Sequence, residues 1–304
     1  WQFQRQPLPT LIYDRLYYPD RQHYLSYKPY VIKIANDPQI RLLGRALGGK
    51  YQTYQMLLKS EALVKYLPET ILFQSYKQIK PYLQKWSNLL LKPNGGSHGR
   101  GVLVVQPHER EFFIRGRTKA NHPFRLRLNS ERHLAIWLKH FIANTRYIAQ
   151  PFLDLTTQEG QPYDLRILVQ KNGQGTWVTT GMGFRVGRSD SITSNLCGGG
   201  KAYPFEQFLN QHFSSEEKER IVQEIEEISR VVPAFIENQH GPLVELGLDI
   251  GIDRNRRVWL LEVNSKPGRT IFLKTREKEV RKRSIQLPML YAQYLLRGRT
   301  GGTL

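Results

Sequence analysis

Gly247-Leu248-Asp249-Ile250-Gly251-Ile252-Asp253, then a turn, then Leu261-Glu262-Val263-Asn264, is the stretch on which the fold turns. Both runs alternate apolar with small or acidic residues, the period-2 signature of half-buried strands. A turn centred on Asn255-Arg256 sets Asp249 opposite Glu262 and Gly247 opposite Asn264. That register predicts one apolar face of Leu248, Ile250, Ile252, Trp259, Leu261 and Val263. The other face then carries Asp249, Glu262 and Asn264, with Gly247 and Gly251 leaving room above the backbone. Directly opposed side chains lie roughly 4.5–5.5 Å apart at Cβ, too close for two unpaired carboxylates, so a positive group belongs between them. Hard oxygen donors facing a space kept open by glycines suit Mg2+, which is commonly held by one or two carboxylates together with substrate phosphates. A one-residue slip would send Asp249 and Glu262 to different faces, and a solvated outer face is the plain alternative. The continuation Asn264-Ser265-Lys266-Pro267-Gly268-Arg269 goes beyond what a simple hairpin needs.

Working outward, Ser214 with Glu217 forms a capping box for a long helix whose buried stripe is Ile221, Ile225, Ile228 and Val232. Strands are expected over Ile148–Leu155, Leu165–Gln170 and Trp177–Phe184. Further upstream, Leu89–Leu91 reads as a strand ending at Lys92-Pro93. The glycine-rich run Asn94-Gly95-Gly96-Ser97-His98-Gly99-Arg100-Gly101 follows, then the apolar run Val102–Val105, so the three make a hairpin whose tip can close over a ligand. A helix opens at Ser130 with Leu134, Trp137, Leu138 and Phe141 on one face. Ile71–Phe73 reads as a strand and Ile79–Trp86 as a helix. Another helix runs from Gly49, with Lys50 at its start, to a stop at Pro68. Tyr30–Ile34 reads as a short strand, and Thr275–Leu296 as a basic helix or pair of helices with Pro288 marking a break or a fresh start.

The loop at 94–101 offers backbone N–H groups to phosphate oxygens, with Lys92 adding a point charge. It lacks the Gly-Lys-Ser/Thr of a Walker A loop and does not match the dinucleotide fingerprint. Asp164-Leu165-Arg166 sets opposite charges on one face of a strand, and Arg185 ends the next. An arginine aimed at developing negative charge stabilises a phosphoryl or acyl-phosphate transition state; a surface Asp164–Arg166 pair is the bland reading. Cys197 has no His or Asp partner near it in sequence to make it a nucleophile, and His98 reads as a loop residue that can touch phosphate rather than as a metal ligand.

The chain of 304 residues has room for about two ordinary domains. No stretch approaches the ~18 apolar residues that a membrane span requires. The single cysteine excludes an internal disulfide framework and fits a reducing compartment such as the cytoplasm. No signal peptide is legible, and Trp1 in place of Met leaves room for an address ahead of it. A net charge of +19 favours anionic partners, from nucleotide to acidic polypeptide, without choosing among them. Tyrosines interleaved with cations between Tyr13 and Lys33 could stack with single-stranded nucleic acid. Packing tyrosines beside solvated charges are the commoner use of such a pattern, so nucleic acid is not the expected partner.

Taken in order, Lys50, Lys92, the glycine loop, Gln150-Pro151-Phe152-Leu153, Asp164-Leu165-Arg166, Ser194-Asn195-Leu196, Asp249 and Glu262-Val263-Asn264 resemble the ATP-grasp superfamily. Within it they are most like the endospore coat-associated YheC/YheD group, with ribosomal-protein glutamate ligases more distant. The resemblance covers roughly residues 11–296. It implies an α+β ATP-grasp fold of two lobes clamping a nucleotide, divided into an N-terminal region at 1–49 shorter than usual, an N-lobe at 50–149 and a C-lobe at 150–304. It implies that Lys50 and Lys92 hold phosphates and that the loop with Gly96, Ser97, Gly99 and Gly101 closes over them. Gln150, Phe152 and Leu153 would contact adenine through the backbone, and Asp249, Glu262 and Asn264 would carry Mg2+ or Mn2+. Arg185 and Asn195, with Arg166, would face the transferred phosphate and the substrate. In such ligases a carboxylate attacks the γ-phosphate of ATP and an amine then displaces phosphate, so no protein nucleophile is needed. Relatives tend to have His where this chain has Cys197.

The expected activity is therefore ATP-dependent carboxylate–amine ligation on an acidic peptide or protein, in a spore-forming bacterium and with a coat association. The alternatives are an ATP-grasp kinase for a small anionic molecule and a non-catalytic basic coat protein.

Overall fold

A computed structural model describes residues 4–18, 21–96, 99–189, 191–194 and 199–300. The chain begins with β1 (Leu11–Tyr13), α1 (Arg21–Ala35) and β2 (Arg41–Leu43), in which β1 and β2 pair in parallel. Two short helices follow, α2 (Lys50–Leu57) and α3 (Glu61–Val64). The first lobe is built from β3 (Ile71–Phe73), α4 (Tyr76–Trp86), β4 (Leu89–Pro93), β5 (Leu103–His108), β6 (Glu111–Arg117), β7 (Pro123–Leu128), α5 (Glu131–Ile142) and β8 (Tyr147–Pro151). Its six strands run in the order β3-β8-β4-β5-β6-β7, all antiparallel, with α4 and α5 covering one face.

The second lobe holds β9 (Tyr163–Lys171), β10 (Trp177–Val186), β11 (Lys201–Pro204), α6 (Phe205–His212), α7 (Ser215–His240), β12 (Glu245–Ile252), β13 (Val258–Asn264), α8 (Thr270–Lys274) and α9 (Lys278–Thr300). Its sheet order is β11-β10-β9-β12-β13. Ser214 caps α7 as its sequence requires: the hydroxyl accepts from Glu217 N at 3.3 Å and the Glu217 carboxylate accepts from Ser214 N at 2.8 Å. The stripe Ile221, Ile225, Ile228 and Val232 lies fully buried against Leu165, Ile167, Leu248 and Ile250 of the sheet. Leu57 and Leu63 from α2 and α3 join this second core although they precede the first lobe in sequence. On the other side of the sheet, Ile271 and Phe272 of α8 pack on Leu168. Among the described residues no helix is long and apolar enough to cross a membrane.

Several expectations are corrected. Tyr30–Ile34 is the last part of helix α1, not a strand. Its alternating apolar residues mimic period 2, but only Val31, Ile34 and Ala35, at helical spacing, lose part of their exposure. The strand expected over 148–155 ends at Pro151. Pro288 lies inside the continuous helix α9. Residues 111–128, absent from the expected elements, form strands β6 and β7.

The decisive hairpin keeps its register where it matters: Asp249 pairs with Glu262 and Gly247 with Asn264. Past Asp249 a bulge shifts the pairing, so Ile250 meets Leu260 and Ile252 meets Val258. An extra residue on one strand reverses the faces beyond it. Val258 and Leu260 therefore enter the core, while Trp259 and Leu261, expected there, do not. Trp259 instead donates its Nε1 proton to Asp253 at 2.8 Å beneath the Arg257 guanidinium.

Removing the buried Ile225 side chain tests this packing. Ile225→Ala should destabilise the chain by about 3 kcal/mol, read as a lower urea midpoint with an unchanged denaturant slope.

Candidate functional site

Between the lobes, the end of β4 and the start of α2 face the middle of β13. A cavity there is lined by Lys50, Thr53, Lys92, Ile148, Gln150, Leu261 and Glu262, among others. Lys50, the first residue of α2, places its Nζ 3.1 Å from Glu262 Oε1 and donates to the Gly96 carbonyl at 2.9 Å. Asn94 sets that position: its Oδ1 accepts from Tyr51 N at 2.8 Å and its carbonyl accepts from Lys50 N at 2.8 Å. A Cβ at Gly49 would lie 2.2 Å from the Asn94 amide, so the close approach requires glycine. Asn94 was legible in the sequence only as part of a loop, and its role as a tie between the lobes was missed.

Lys92 as a residue keeps some solvent contact. Removal of water from around its ammonium nevertheless lowers its pKa, Glu262 and Asp249 oppose the fall and Lys50 assists it, and the net result is a value of about 8. Gly96, Gly99 and Gly101 all have left-handed backbone conformations, which glycine adopts without steric cost. The Tyr147 hydroxyl donates to the Gly101 carbonyl at 3.0 Å and fixes the far end of the loop. Ser97 and His98 lie outside the described residues, as do Asn195 and Cys197.

In the hinge segment, Gln150 is buried and donates Nε2 to Thr70 Oγ1 at 2.6 Å. Phe152 N donates to the Asn88 carbonyl at 2.9 Å, which commits that N–H within the first lobe. Leu153 follows directly, its carbonyl accepting from Leu155 N at 3.1 Å. The Phe152 ring lies beneath the Arg115 guanidinium, 5.4 Å from centroid to Cζ.

On the second sheet four charged side chains from β9, β10 and β12 interlock. Arg185 grips Asp164 with Nε at 2.7 Å and Nη2 at 2.5 Å, and its Nη2 also reaches Asp249 Oδ1 at 3.1 Å. Arg166 grips Asp249 with Nε at 2.5 Å and Nη2 at 3.0 Å. The surface Asp164–Arg166 pair is thus replaced by a buried network crossing three strands. Burial pushes the Asp164 carboxyl up, with Asp249 adding to the rise. Burial acts the same way on Asp249, but Arg166 and Arg185 outweigh it and hold that carboxyl below its ordinary range.

The glycines of β12 leave room for protein rather than for open space. A Cβ on Gly247 would meet Pro267 at 2.7 Å and Arg166 at 3.3 Å, and one on Gly251 would meet Leu155 at 2.7 Å. The positive groups expected between Asp249 and Glu262 are arginines and a lysine of the chain itself. Two carboxylates and the neighbouring Asn264 amide remain a donor set that fits Mg2+, which needs few protein ligands when phosphates supply the rest. Among the described residues there is no cluster of three or more His, Cys, Asp or Glu of the kind that softer or all-protein metal sites use.

A second polar cluster was not foreseen. Glu245, fully buried on β12, accepts from Tyr13 Oη at 2.5 Å, Arg269 Nη2 at 2.6 Å, Gln170 Nε2 at 2.8 Å and also from Arg15. Arg15 further donates to the Pro267 carbonyl at 3.0 Å, and Lys266 pairs with Asp14 at 2.6 Å. The N-terminal segment therefore clamps the loop that follows Asn264.

The family described as YheC/D like ATP-grasp matches residues 39–295 of this chain. The endospore coat-associated protein YheC of Bacillus subtilis (strain 168) is 30% identical over 298 residues, spanning 97% of this chain and 80% of that one. The endospore coat-associated protein YheD of the same organism is 25% identical over 300 residues, and the chain spans 65% of its length. Among solved structures, the D-alanine-D-alanine ligase from Coxiella burnetii covers 97% of this chain and 73% of its own at a TM-score of 0.52. At 12% identity that likeness is one of fold.

The depressed Lys92 pKa has a measurable sign. Between about pH 8 and 10.5 the unfolded chain keeps a proton that folded Lys92 has released, so this group makes stability rise with pH across that window. The stability of the native chain relative to Lys92→Met should rise by on the order of 3 kcal/mol from the bottom to the top of the window. Urea titrations at stepped pH would read it, and a flat difference would place the ammonium in ordinary solvent.

Proposed function

This chain belongs to the YheC/D-like ATP-grasp family, and from that premise we propose that it joins a carboxylate to an amine, converting ATP to ADP and phosphate. The observation that carries the reading is the convergence of Lys50 and Lys92 on Glu262 at the mouth of the Arg166–Asp249–Arg185–Asp164 network. Four cations face three carboxylates there, a surplus suited to a polyphosphate and to the charge that builds on a transferred phosphoryl group.

In this reading Lys50 and Lys92 bind the phosphates while the loop with Gly96, Ser97, Gly99 and Gly101 folds over them. Gln150, Phe152 and Leu153 border the base. A substrate carboxylate oxygen attacks the γ-phosphorus, the bond to the bridging oxygen of ADP breaks, and an acyl-phosphate forms. The amine then attacks the acyl carbon, phosphate departs and the amine loses a proton. Arg185, steered by its bidentate grip on Asp164, and Arg166 face the phosphoryl group as it moves, together with Asn195. Asp249, Glu262 and Asn264 would hold Mg2+, which when bound neutralises charge and aligns phosphate oxygens. No side chain of the protein is asked to form a covalent bond. The relatives' description as endospore coat-associated supports the same setting for this chain, with a peptide or protein as substrate.

The test combines Mg2+-ATP with a panel of amino acids and acidic peptides, reading phosphate release and product mass. Amine-dependent release with a product one water lighter than its two substrates is expected. Glu262→Gln should lower the rate at least about a hundredfold. A product carrying an added phosphoryl group would replace this reading with a kinase. Failure to bind Mg2+-ATP would overturn both.

A further inference from the structure

The charge of the chain is concentrated. Residues 71–151, which span the first lobe, hold fourteen lysines and arginines against three carboxylates, a net +11 of the total +19. Cross-strand register shows where part of this goes. Gln150 pairs with Leu90, Leu90 with Val104, Val104 with Arg115 and Arg115 with Arg125. These residues form one row across the sheet, on the face that α4 and α5 leave uncovered. Arg117 and Arg127 lie on the same face by strand alternation, as does Phe113.

The row begins in the cleft, where Gln150 lines the cavity, and ends about 14 Å beyond Leu90 at β7, three strand spacings away. Strand β7 is the edge of the sheet among the described residues. Arg117 is held by Asn121 at 2.7 Å and Arg127 by Glu111 at 2.6 Å. Arg115 and Arg125 are directly opposed and neither has an ion pair among the described residues; Arg115 rests over the Phe152 ring, and its buried Nε has no hydrogen-bond acceptor among them. Like charges opposed across strands destabilise a sheet, and an unpaired buried donor adds to that cost. The repulsion between the two guanidinium groups is relieved by an anion lying across β6 and β7.

We infer that this arginine face is the docking surface for an acidic polypeptide segment, laid along β7 and leading its carboxylates into the cleft. Arg125 and Arg127 alternate along the strand as acidic side chains alternate along an extended partner, and an open edge supplies main-chain hydrogen bonds that only another polypeptide can complete. Nucleic acid fits less well. Binding without sequence preference relies on open aromatic faces for stacking, whereas the exposed aromatic here, Phe113, is already covered by Arg127 and edged by His108. As the carboxylate donor of a ligase this segment rests on the function proposed above; as a binding site it stands apart from it.

The experiment measures binding of labelled oligo-L-glutamate and of an oligothymidylate of matched charge, without ATP, at two ionic strengths. Arg125→Gln should weaken oligoglutamate about fivefold, and Arg115→Gln/Arg125→Gln more than tenfold. The melting temperature of Arg125→Gln should hold, because Arg125 is exposed. Lys282→Gln on α9, an equal loss of exposed charge, should change binding less than about twofold. Equal losses from Lys282→Gln, tighter binding of oligothymidylate that Arg125→Gln removes, or no oligoglutamate binding at all would each overturn the proposal. Binding that survives in a protein showing no ligation would leave the surface standing and count against the ligase alone.

Discussion

A carboxylate buried between two guanidinium groups is the constraint around which the second lobe is arranged. Asp249 sits on β12 with Arg166 of β9 and Arg185 of β10 bonded to it, and Asp164 fixes Arg185 from the other side. Removing a single partner from such a buried set typically costs about 3–5 kcal/mol, since an uncompensated charge remains. A strand slip of one residue would turn these side chains into the apolar core, so the network specifies register as well as charge. The network adjoins Glu262 through the β12–β13 pairing, at the cleft to which the first lobe brings Lys92 and α2 brings Lys50. Structural and functional demands therefore fall on one group of residues.

Much of this arrangement is readable along the chain because it depends on local alternation. The opposition of Asp249 and Glu262 follows from a period of two and a turn position, and Ser214 announces α7 through its capping box. The order of lysines, glycine loop and acidic hairpin carries the family likeness. Periodicity says nothing, however, about which distant residues meet. The tie of Asn94 to α2, the burial of Glu245 beneath Tyr13, Arg15 and Arg269, and the grip of Arg185 on Asp249 join elements far apart in sequence. Strand β7 was legible, since Phe124-Arg125-Leu126-Arg127-Leu128 alternates with period two, whereas the run Phe112-Phe113-Ile114 in β6 breaks that alternation. The bulge at Asp249–Ile250 was invisible for a different reason: a single added residue leaves the alternation on either side intact while exchanging the faces.

That bulge also shapes the cleft. It releases Leu261 from the core and sets it beside Glu262, so an apolar surface adjoins the polar end of the site. Bulges commonly re-aim side chains next to active sites. The cavity thus has an aliphatic side, from Ile148, Leu260 and Leu261, and a charged side, from Lys50, Lys92 and Glu262. An amphipathic ligand with a flat apolar end and an anionic end matches that division.

The ties between the lobes have a kinematic consequence. The first lobe is anchored at two places: the Asn94 clamp on the N-terminus of α2, and the paired strands β3 and β8, where the chain enters the lobe ahead of Ile71 and leaves it after Pro151. A rigid body pinned at two points keeps one rotation, about the line joining the pins. Points on that line stay still while distant points sweep the widest arcs. Strands β6 and β7, remote from β8 in the sheet order, therefore travel farthest on any opening, whereas Lys50, beside the pin, hardly shifts relative to Glu262.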